Sequence, residues 1–297
     1  MEHKHIPGLV DVIEVDQPAG ILQVARDSTL DRAFGSGKPL LNSLLVRRIL
    51  GVLSRNGHRL PTMSAREAVG REIQQDALWK KLNAVVPDIR AAPADLESLA
   101  VWIRGSNPDV AVGPLVQQII GRLFNPTFEA GEDTWAAAQV IAASLAPGNA
   151  LCNLVRNVTG KVTRAKALLA SMVGGDLAGV HAASVAIHNV VRGLNQMRSL
   201  YLDTAMRQTL TPEMASQRCL FAPGAVLRQA TSSGTVGGGC PYTAGALLLL
   251  ELEKARQASG DESMIFLGDT WSRCPAEQWV LAMLDGVWRR ATTAHGQ

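Results

Sequence analysis

Apolar positions recur every three or four residues along most of this chain, the spacing that places them on one face of an α-helix. The pattern predicts helices over approximately residues 40–53, 64–82, 93–103, 110–124, 135–146, 165–173 and 177–202. Ser64-Ala65-Arg66-Glu67 spells a capping box at the start of the second helix, and Pro93-Ala94-Asp95 opens the third. Asn107-Pro108 ends the third, because proline cannot continue a helix.

Strand signals are confined to short apolar runs punctuated by glycine and proline, at residues 225–230, 235–238 and 247–250. Residues 1–40 are predicted to be irregular or weakly extended, with a helix around Ala25–Phe34. We therefore expect a mainly α fold with a small β-sheet region. One domain over residues 1–297 is expected, with a helical portion at about 40–205 followed by the β region, a cysteine loop and a helix at about 205–297.

Composition narrows the class of protein. The chain has 297 residues, of which 47% are hydrophobic, so it can bury a large core. Its net charge of +3 and its 4% aromatic content are too low for a nucleic-acid-binding surface. The longest apolar runs, such as Ala244–Leu250, are far below the roughly 20 residues needed for a membrane span. The N-terminus lacks a signal-peptide pattern, so we expect a cytoplasmic protein whose four cysteines are thiols.

Cys274 is the strongest ligand candidate. A glycine-containing loop, residues 266–273, leads to Cys274, and Pro275 suits the first position of the helix predicted to follow. A helix start offers free backbone N–H groups and the positive end of the macrodipole, and Arg273 adds a positive charge; all three favour a thiolate. The alternative interpretation is a buried cysteine that only packs in the core.

The order of landmarks around this cysteine is that of a known enzyme family. A helix ends in Arg218, a turn contains Pro223, a strand carries Arg228, a glycine hairpin follows, and the chain then reaches Arg273-Cys274-Pro275-Ala276-Glu277. Over residues 213–290 this sequence resembles the C-terminal core of the cytochrome P-450 heme-thiolate enzymes, as a short and divergent member. The resemblance implies a cytochrome P-450-like, N-terminally shortened fold.

The resemblance also implies a cofactor and its ligands. Heme b would be bound with Cys274 as the axial iron ligand, in a loop that includes Gly268. Arg228, and after it Arg273, would bind the heme propionates, while Arg218 would hold the core. The implied reaction is oxidation of a small organic substrate, as in a monooxygenase or peroxygenase. Electrons would come from a separate ferredoxin or flavoprotein, or peroxide would replace them.

Departures from the family pattern leave other interpretations open. Ala215 stands where the family has a glutamate that pairs with the arginine at position 218, Thr270 replaces a glycine and Ser272 a basic residue. One alternative is a degenerate relative without heme or turnover that acts as a binding or partner subunit. The other is an unrelated helical protein with a packing cysteine.

Two segments are candidates for the family's central helix. Ala130-Gly131-Glu132-Asp133-Thr134 spells its acid–alcohol motif, so Asp133 and Thr134 are the candidate catalytic residues; ordinary helix capping is the alternative. Residues 177–200 lie at a more suitable distance from Arg218 but lack the acid–alcohol pair.

Two other features carry less weight. Gly35-Ser36-Gly37-Lys38 is an incomplete phosphate-binding loop. His181 and His188 lie seven residues apart, which is too far for one metal ion on a straight helix, so we expect polar positions on a helix flank.

Overall fold

A five-stranded sheet organises the first of two structural units, which consists of Met1–Gln75 and Ala222–Cys274 in this computed structural model. The structure describes residues 1–35, 39–91, 96–106, 110–146 and 159–293. The Pro93–Asp95 and Asn107–Pro108 signals, most of the Gly35–Lys38 loop and Cys152 lie outside these residues. The prediction of one domain over the whole chain stays a prediction.

The sheet has the order β1-β2-β9-β6-β3. Its strands are β1 (Glu2–Ile6), β2 (Val10–Val15), β3 (Leu30–Asp31), β6 (Val226–Ala230) and β9 (Leu247–Leu250). Strand β2 pairs antiparallel with β1 and parallel with β9, and β6 pairs antiparallel with β9 and β3. Two small hairpins complete the β structure of the described residues: β4 (Ser54–Arg55) with β5 (His58–Arg59), and β7 (Gly234–Val236) with β8 (Cys240–Tyr242).

In the described part of the first unit there are also four α-helices and the start of a fifth. They are α1 (Pro18–Arg26), α2 (Leu40–Val52), α13 (Leu252–Ser259), α14 (Ser263–Phe266) and the first residues of α3 (Arg71–Ala84). The apolar strand β9 lies at the centre of the sheet, and Leu247, Leu248 and Leu250 are fully buried.

The second unit, Asp76–Phe221 and Pro275–Gln297, is helical throughout its described part. Besides the rest of α3, its helices are α4 (Val86–Ala91), α5 (Glu97–Ile103), α6 (Val112–Arg122), α7 (Glu132–Leu145), α8 (Lys161–Met172), α9 (Leu177–His181), α10 (Ile187–Leu202), α11 (Thr204–Thr209), α12 (Pro212–Arg218) and α15 (Glu277–Thr293). A π-helical segment, Ala182–Ala186, joins α9 to α10 without a break. None of the helices within the described ranges is both long and apolar enough to cross a bilayer.

The predicted class, mainly α with a small sheet, is confirmed, but the prediction for residues 1–40 is wrong. These residues supply three of the five sheet strands and α1, which begins at Pro18. Alternation failed as a signal in β2, because its buried side chains include the carboxylate of Asp11. The tertiary pairing of β2 on both edges outweighs its irregular pattern.

Two predicted helix starts are also wrong. Of the expected capping box, Ser64 and Ala65 are irregular and Arg66 and Glu67 form a turn, and α3 begins only at Arg71, after Gly70 adopts a φ of +74°. The last helix, α15, begins at Glu277, so Pro275 and Ala276 form a turn and Cys274 precedes the helix by three residues.

Candidate functional site

The loop that carries Cys274 is folded back on its own start. Helix α14 ends at Phe266, and the next residue, Leu267, adopts a φ of +52°, a left-handed conformation that costs an L-residue roughly 1–2 kcal/mol. The backbone N–H of Cys274 donates to the carbonyl oxygen of Phe266 over 2.7 Å. This bond closes the loop and fixes where the backbone presents the sulfur. Gly268, a predicted cofactor contact, has an ordinary φ, and an added Cβ would meet only Ser263 at 3.9 Å.

Three arginines surround the indole ring of Trp271 in this loop. The guanidinium carbons of Arg71, Arg32 and Arg228 lie 4.4, 5.2 and 5.2 Å from the ring centroid. They come from three separate places in the chain: the start of α3, the end of β3 and the middle of β6. Arg228 and Arg32 are 0% and 7% exposed, and Arg71 is half-buried. We call Arg32, Arg71 and Arg228 the arginine cluster.

The arginine cluster is held by neutral acceptors. Arg228 donates to the carbonyl oxygen of Leu227 over 2.9 Å and to the hydroxyl of Ser272 over 2.6 Å. Arg71 donates to Gln75 over 2.7 Å and to the carbonyl oxygen of Trp271 over 2.9 Å. Within the described residues, the Nε atoms of Arg71 and Arg228 have no hydrogen-bond partner, and no cluster arginine forms an ion pair. The Nε–H groups of Arg71 and Arg228 are therefore donors that a bound ligand could use.

Burial makes this cluster electrostatically costly. Burial lowers the pKa of Arg228 to about 10, and the neighbouring Arg71 charge adds to the effect while Asp31 opposes it. Burial also holds the pKa of Arg32 well below its ordinary value, together with the Arg228 and Arg71 charges; Asp31 and Cys274 oppose that shift. Burial likewise lowers the pKa of Arg71.

Asp31 provides only part of the compensating charge. Its carboxylate accepts hydrogen bonds from the backbone N–H groups of Arg32 and Arg66, so it is engaged by the backbone rather than by a guanidinium. Three buried or half-buried cations and one such carboxylate leave an excess of positive charge. Buried charges are stable only when they are paired, so the arrangement fits a ligand with one or two carboxylates or phosphates.

The two arginines predicted to bind the heme propionates lie in different environments. Arg228 belongs to the arginine cluster, whereas the side chain of Arg273 is exposed; their roles as propionate ligands stay predictions. Sequence reasoning missed Arg32 and Arg71. Their signal was weak, because a single arginine after a short strand or at a helix start is ordinary.

Arg218 does not hold a core. It is exposed, and its described side-chain contact is a donation to the sulfur of Met206 over 3.6 Å. Glu213 on the same helix pairs with Arg289 instead, over 2.6 Å. Because Ala215 supplies no carboxylate, a buried guanidinium at position 218 would have lacked its partner, and solvent is the cheaper environment.

Asp133 and Thr134 lie at the start of α7, in the second unit. Asp133 is exposed. The Thr134 hydroxyl accepts from the backbone N–H of Gly131 over 2.9 Å and contacts the side-chain oxygen of Gln117 over 2.8 Å. Gln117 in turn donates to the Thr134 carbonyl oxygen over 3.0 Å. The contact with Gly131 caps α7, which agrees with the capping interpretation, and the contacts with Gln117 link α7 to α6.

The other candidate helix contains the π-helical segment Ala182–Ala186 between α9 and α10. Such insertions widen a helix locally and occur frequently at functional sites. Ser184 is fully buried and donates to the carbonyl oxygen of Val180. His188 follows, and its ring lies 5.2 Å from that of Trp135. Burial lowers the pKa of His188 below its ordinary 6.5.

The fold matches solved structures of cytochromes P450. A 4-phenylimidazole-bound P450 from the thermoacidophilic archaeon Picrophilus torridus aligns with a TM-score of 0.62 and 8% identity, over 99% of this chain and 91% of that one. CYP154A1 from Streptomyces coelicolor A3(2) aligns with a TM-score of 0.61 and 12% identity, over 95% and 83%. Ligand-free cytochrome P450 OleT aligns with a TM-score of 0.54 and 11% identity, over 94% and 80%.

No protein-family model and no curated protein sequence matches the chain. The structural similarities therefore establish a cytochrome P450-like fold at very low sequence identity.

Proposed function

We propose that this protein binds heme b as a heme-thiolate protein of the cytochrome P450 type and oxidises a small organic substrate. The observation that carries the proposal is the arginine cluster around Trp271, at the loop that ends in Cys274. A heme carries two propionate carboxylates, which are the counter-charges that the cluster lacks. The P450-like fold supports the same assignment.

Each residue of this loop region has a distinct role in the proposal. Cys274 supplies the thiolate ligand to the iron. Arg228, Arg32 and Arg71 bind the propionates through their remaining donors, since Arg–carboxylate pairs are strong and directional. Ser272 orients Arg228 by accepting from it. Heme held by this thiolate would supply the oxidising chemistry.

The remaining predicted contacts are secondary to these. Gly268 and Arg273 would help to hold the heme, Arg273 by binding a propionate. Substrate oxidation needs either electrons from a separate ferredoxin or flavoprotein, or peroxide.

We favour residues 177–202 over Asp133 and Thr134 as the counterpart of the family's central helix. The π-helical insertion supports this choice, and the capping contacts of Thr134 give its hydroxyl another purpose. Without an acid–alcohol pair in that segment, peroxide becomes the simpler oxidant.

The test is the spectrum of the protein after expression with a heme precursor, reduction and addition of carbon monoxide. A red-shifted, thiolate-type Soret band is expected for the wild type and for Cys240→Ser, which removes a different partly exposed thiol. The band is lost in Cys274→Ser. Protein that stays colourless would instead favour the degenerate, heme-free alternative.

A further inference from the structure

A second group of potential ligands lies on the first two strands of the sheet. His3 and His5 are two residues apart on β1, so their side chains project from the same face of the strand. Asp11 on β2 is the register partner of His5. Antiparallel pairing therefore brings two imidazoles and one carboxylate together from a stretch of nine residues.

The distances within this group suit a metal ion. His3 Nε2 lies 2.8 Å from Asp11 Oδ1, and His5 Nδ1 lies 3.6 Å from Asp11 Oδ2. One ligand atom from each of the three residues lies within 4.8 Å of the other two. Ligand atoms around a tetrahedral Zn²⁺ ion are separated by about 3.3 Å, given Zn–N and Zn–O bonds of about 2.0–2.1 Å. Small side-chain rotations therefore complete the geometry.

The carboxylate is already fixed in position. Asp11 is fully buried, and its Oδ2 accepts from the backbone N–H of Thr243 over 2.9 Å and from its hydroxyl over 2.6 Å. The side chain of Asn42 donates to the carbonyl oxygen of Asp11 over 2.6 Å. Supporting hydrogen bonds of this kind orient the ligands in metal sites. The ligand set therefore has a rigid member.

The imidazoles stay accessible. Their side chains are 23% exposed for His3 and 39% for His5, so an ion can enter and a water molecule can complete its coordination. A simple His–Asp hydrogen bond accounts for His3 but not for the convergence of His5 on the second carboxylate oxygen. The Cys240 sulfur lies 3.6 Å from Nδ1, the other ring nitrogen of His3, where it can hold the ring orientation.

We propose that His3, His5 and Asp11 form a binding site for one divalent transition-metal ion, with Zn²⁺ as the best fit. Two nitrogen ligands and one oxygen ligand with an open fourth position are the ligand set that Zn²⁺ accepts, and Ni²⁺ and Cu²⁺ are its competitors for imidazole. The ion ties the edge strand β1 to β2. The site uses none of the residues assigned to heme, so it does not depend on the proposed function.

The experiment is equilibrium dialysis of the full chain against Zn²⁺, with the protein purified through a histidine-free tag. Cys274→Ser is used as the common background, so that the heme-ligand thiol does not bind the ion. One Zn²⁺ per chain is expected, with a matching visible spectrum after Co²⁺ substitution. His5→Gln should weaken binding by more than the roughly 10- to 100-fold expected for loss of a supporting residue. Thr243→Val, which removes such a support, should weaken it about 10-fold.

His58→Gln is the matched control, because His58 is an exposed histidine on another strand of the same unit. It should leave Zn²⁺ binding unchanged. His5 lies on an exposed edge strand, so its replacement is expected to leave the fold intact, which circular dichroism checks. Equal Zn²⁺ binding by wild type and His5→Gln would overturn the site. Loss of binding in Cys240→Ser with full binding in His5→Gln would also overturn it, since the ligands would then be Cys240 and His3 Nδ1.

Discussion

Replacing Arg228 by methionine separates the two roles that a buried cation can have, structural support and anion binding. Arg228 is fully buried, donates to two neutral oxygens and leaves its Nε without a described partner. Methionine keeps much of the length and apolar volume of the side chain but removes the charge. If the cluster exists to bind propionates, heme affinity should suffer far more than the stability of the heme-free fold.

The magnitudes follow from the surroundings of Arg228. Lowering its pKa from 12.5 to about 10 corresponds to roughly 3 kcal/mol of destabilisation in the heme-free protein. Substitution removes that cost, but it also removes two hydrogen bonds of about 1 kcal/mol each and a cation–π contact of about 1 kcal/mol. The free energy of unfolding should therefore change by less than about 1 kcal/mol. An ordinary buried side chain of this size costs about 2–5 kcal/mol when truncated.

The affinity for heme, in contrast to the stability of the heme-free protein, should fall strongly. Each charge-assisted hydrogen bond to a propionate contributes about 1.5–3 kcal/mol, so the Kd for heme should rise roughly 10- to 100-fold in Arg228→Met. Urea unfolding of heme-free protein gives the first quantity, and Soret titration gives the second. Heme with esterified propionates should bind wild type and variant equally, because it offers the cluster no charge.

Arg256→Met is the matched control. Arg256 lies in the same unit but is paired with Glu253 and Glu262, and these carboxylates raise its pKa. Its loss should lower the free energy of unfolding by about 1 kcal/mol and leave heme affinity unchanged. Destabilisation of the heme-free protein by several kcal/mol in Arg228→Met, with the Kd for heme unchanged from wild type, would refute the anion-binding role of the arginine cluster.

Three further predictions test the fold and its titratable groups. The pKa of His188 in the folded protein lies below 6.5, so between that pKa and about pH 6.5 the unfolded state binds more protons than the folded state. The free energy of unfolding should therefore fall as the pH is lowered from 6.5. In urea unfolding this pH dependence should be smaller in His188→Gln and unchanged in His58→Gln. Gly193→Ala should destabilise the protein by about 1–3 kcal/mol, because the new Cβ would lie 2.3 Å from the carbonyl oxygen of Cys219. Gly51→Ala, whose Cβ would have no atom within 4 Å, should stabilise it by about 0.5–1 kcal/mol. Equal shifts of Tm in the two variants would refute the close packing at Gly193. Burial raises the pKa of the Cys219 thiol to about 12, so this thiol should not react with a disulfide reagent in the folded protein. Cys219→Ser should therefore leave the number of reactive thiols unchanged in the folded protein and lower it by one after denaturation. A lower number in the folded protein would mean that Cys219 is accessible.

Periodicity identified most of the helices because their apolar stripes are local features. Helices α2 and α6, and the run from Leu177 to Leu202, appear close to their predicted bounds. The π-helical insertion could not be predicted from the apolar pattern, because it is defined by backbone hydrogen bonding and not by hydrophobic spacing. Strands of the N-terminal region were missed because β2 is stabilised by partners more than two hundred residues away in sequence.

The candidate site divides in the same way. Motif order indicated Cys274 and Arg228, which lie on one continuous stretch of the family-like region. Arg32 and Arg71 join them only through tertiary packing around Trp271, and no local pattern distinguishes them from surface arginines. The alanine at position 215, where the family has a glutamate, indicated a departure from the family pattern. That Arg218 is exposed as a result could be seen only in the structure.

X-ray absorption at the iron edge of the heme-loaded ferric protein tests the central claim most directly. One sulfur atom is expected in the first coordination shell of the iron in the wild type and in Cys240→Ser, and none in Cys274→Ser. An iron surrounded only by nitrogen and oxygen in the wild type, or a sulfur ligand that persists in Cys274→Ser, would contradict it.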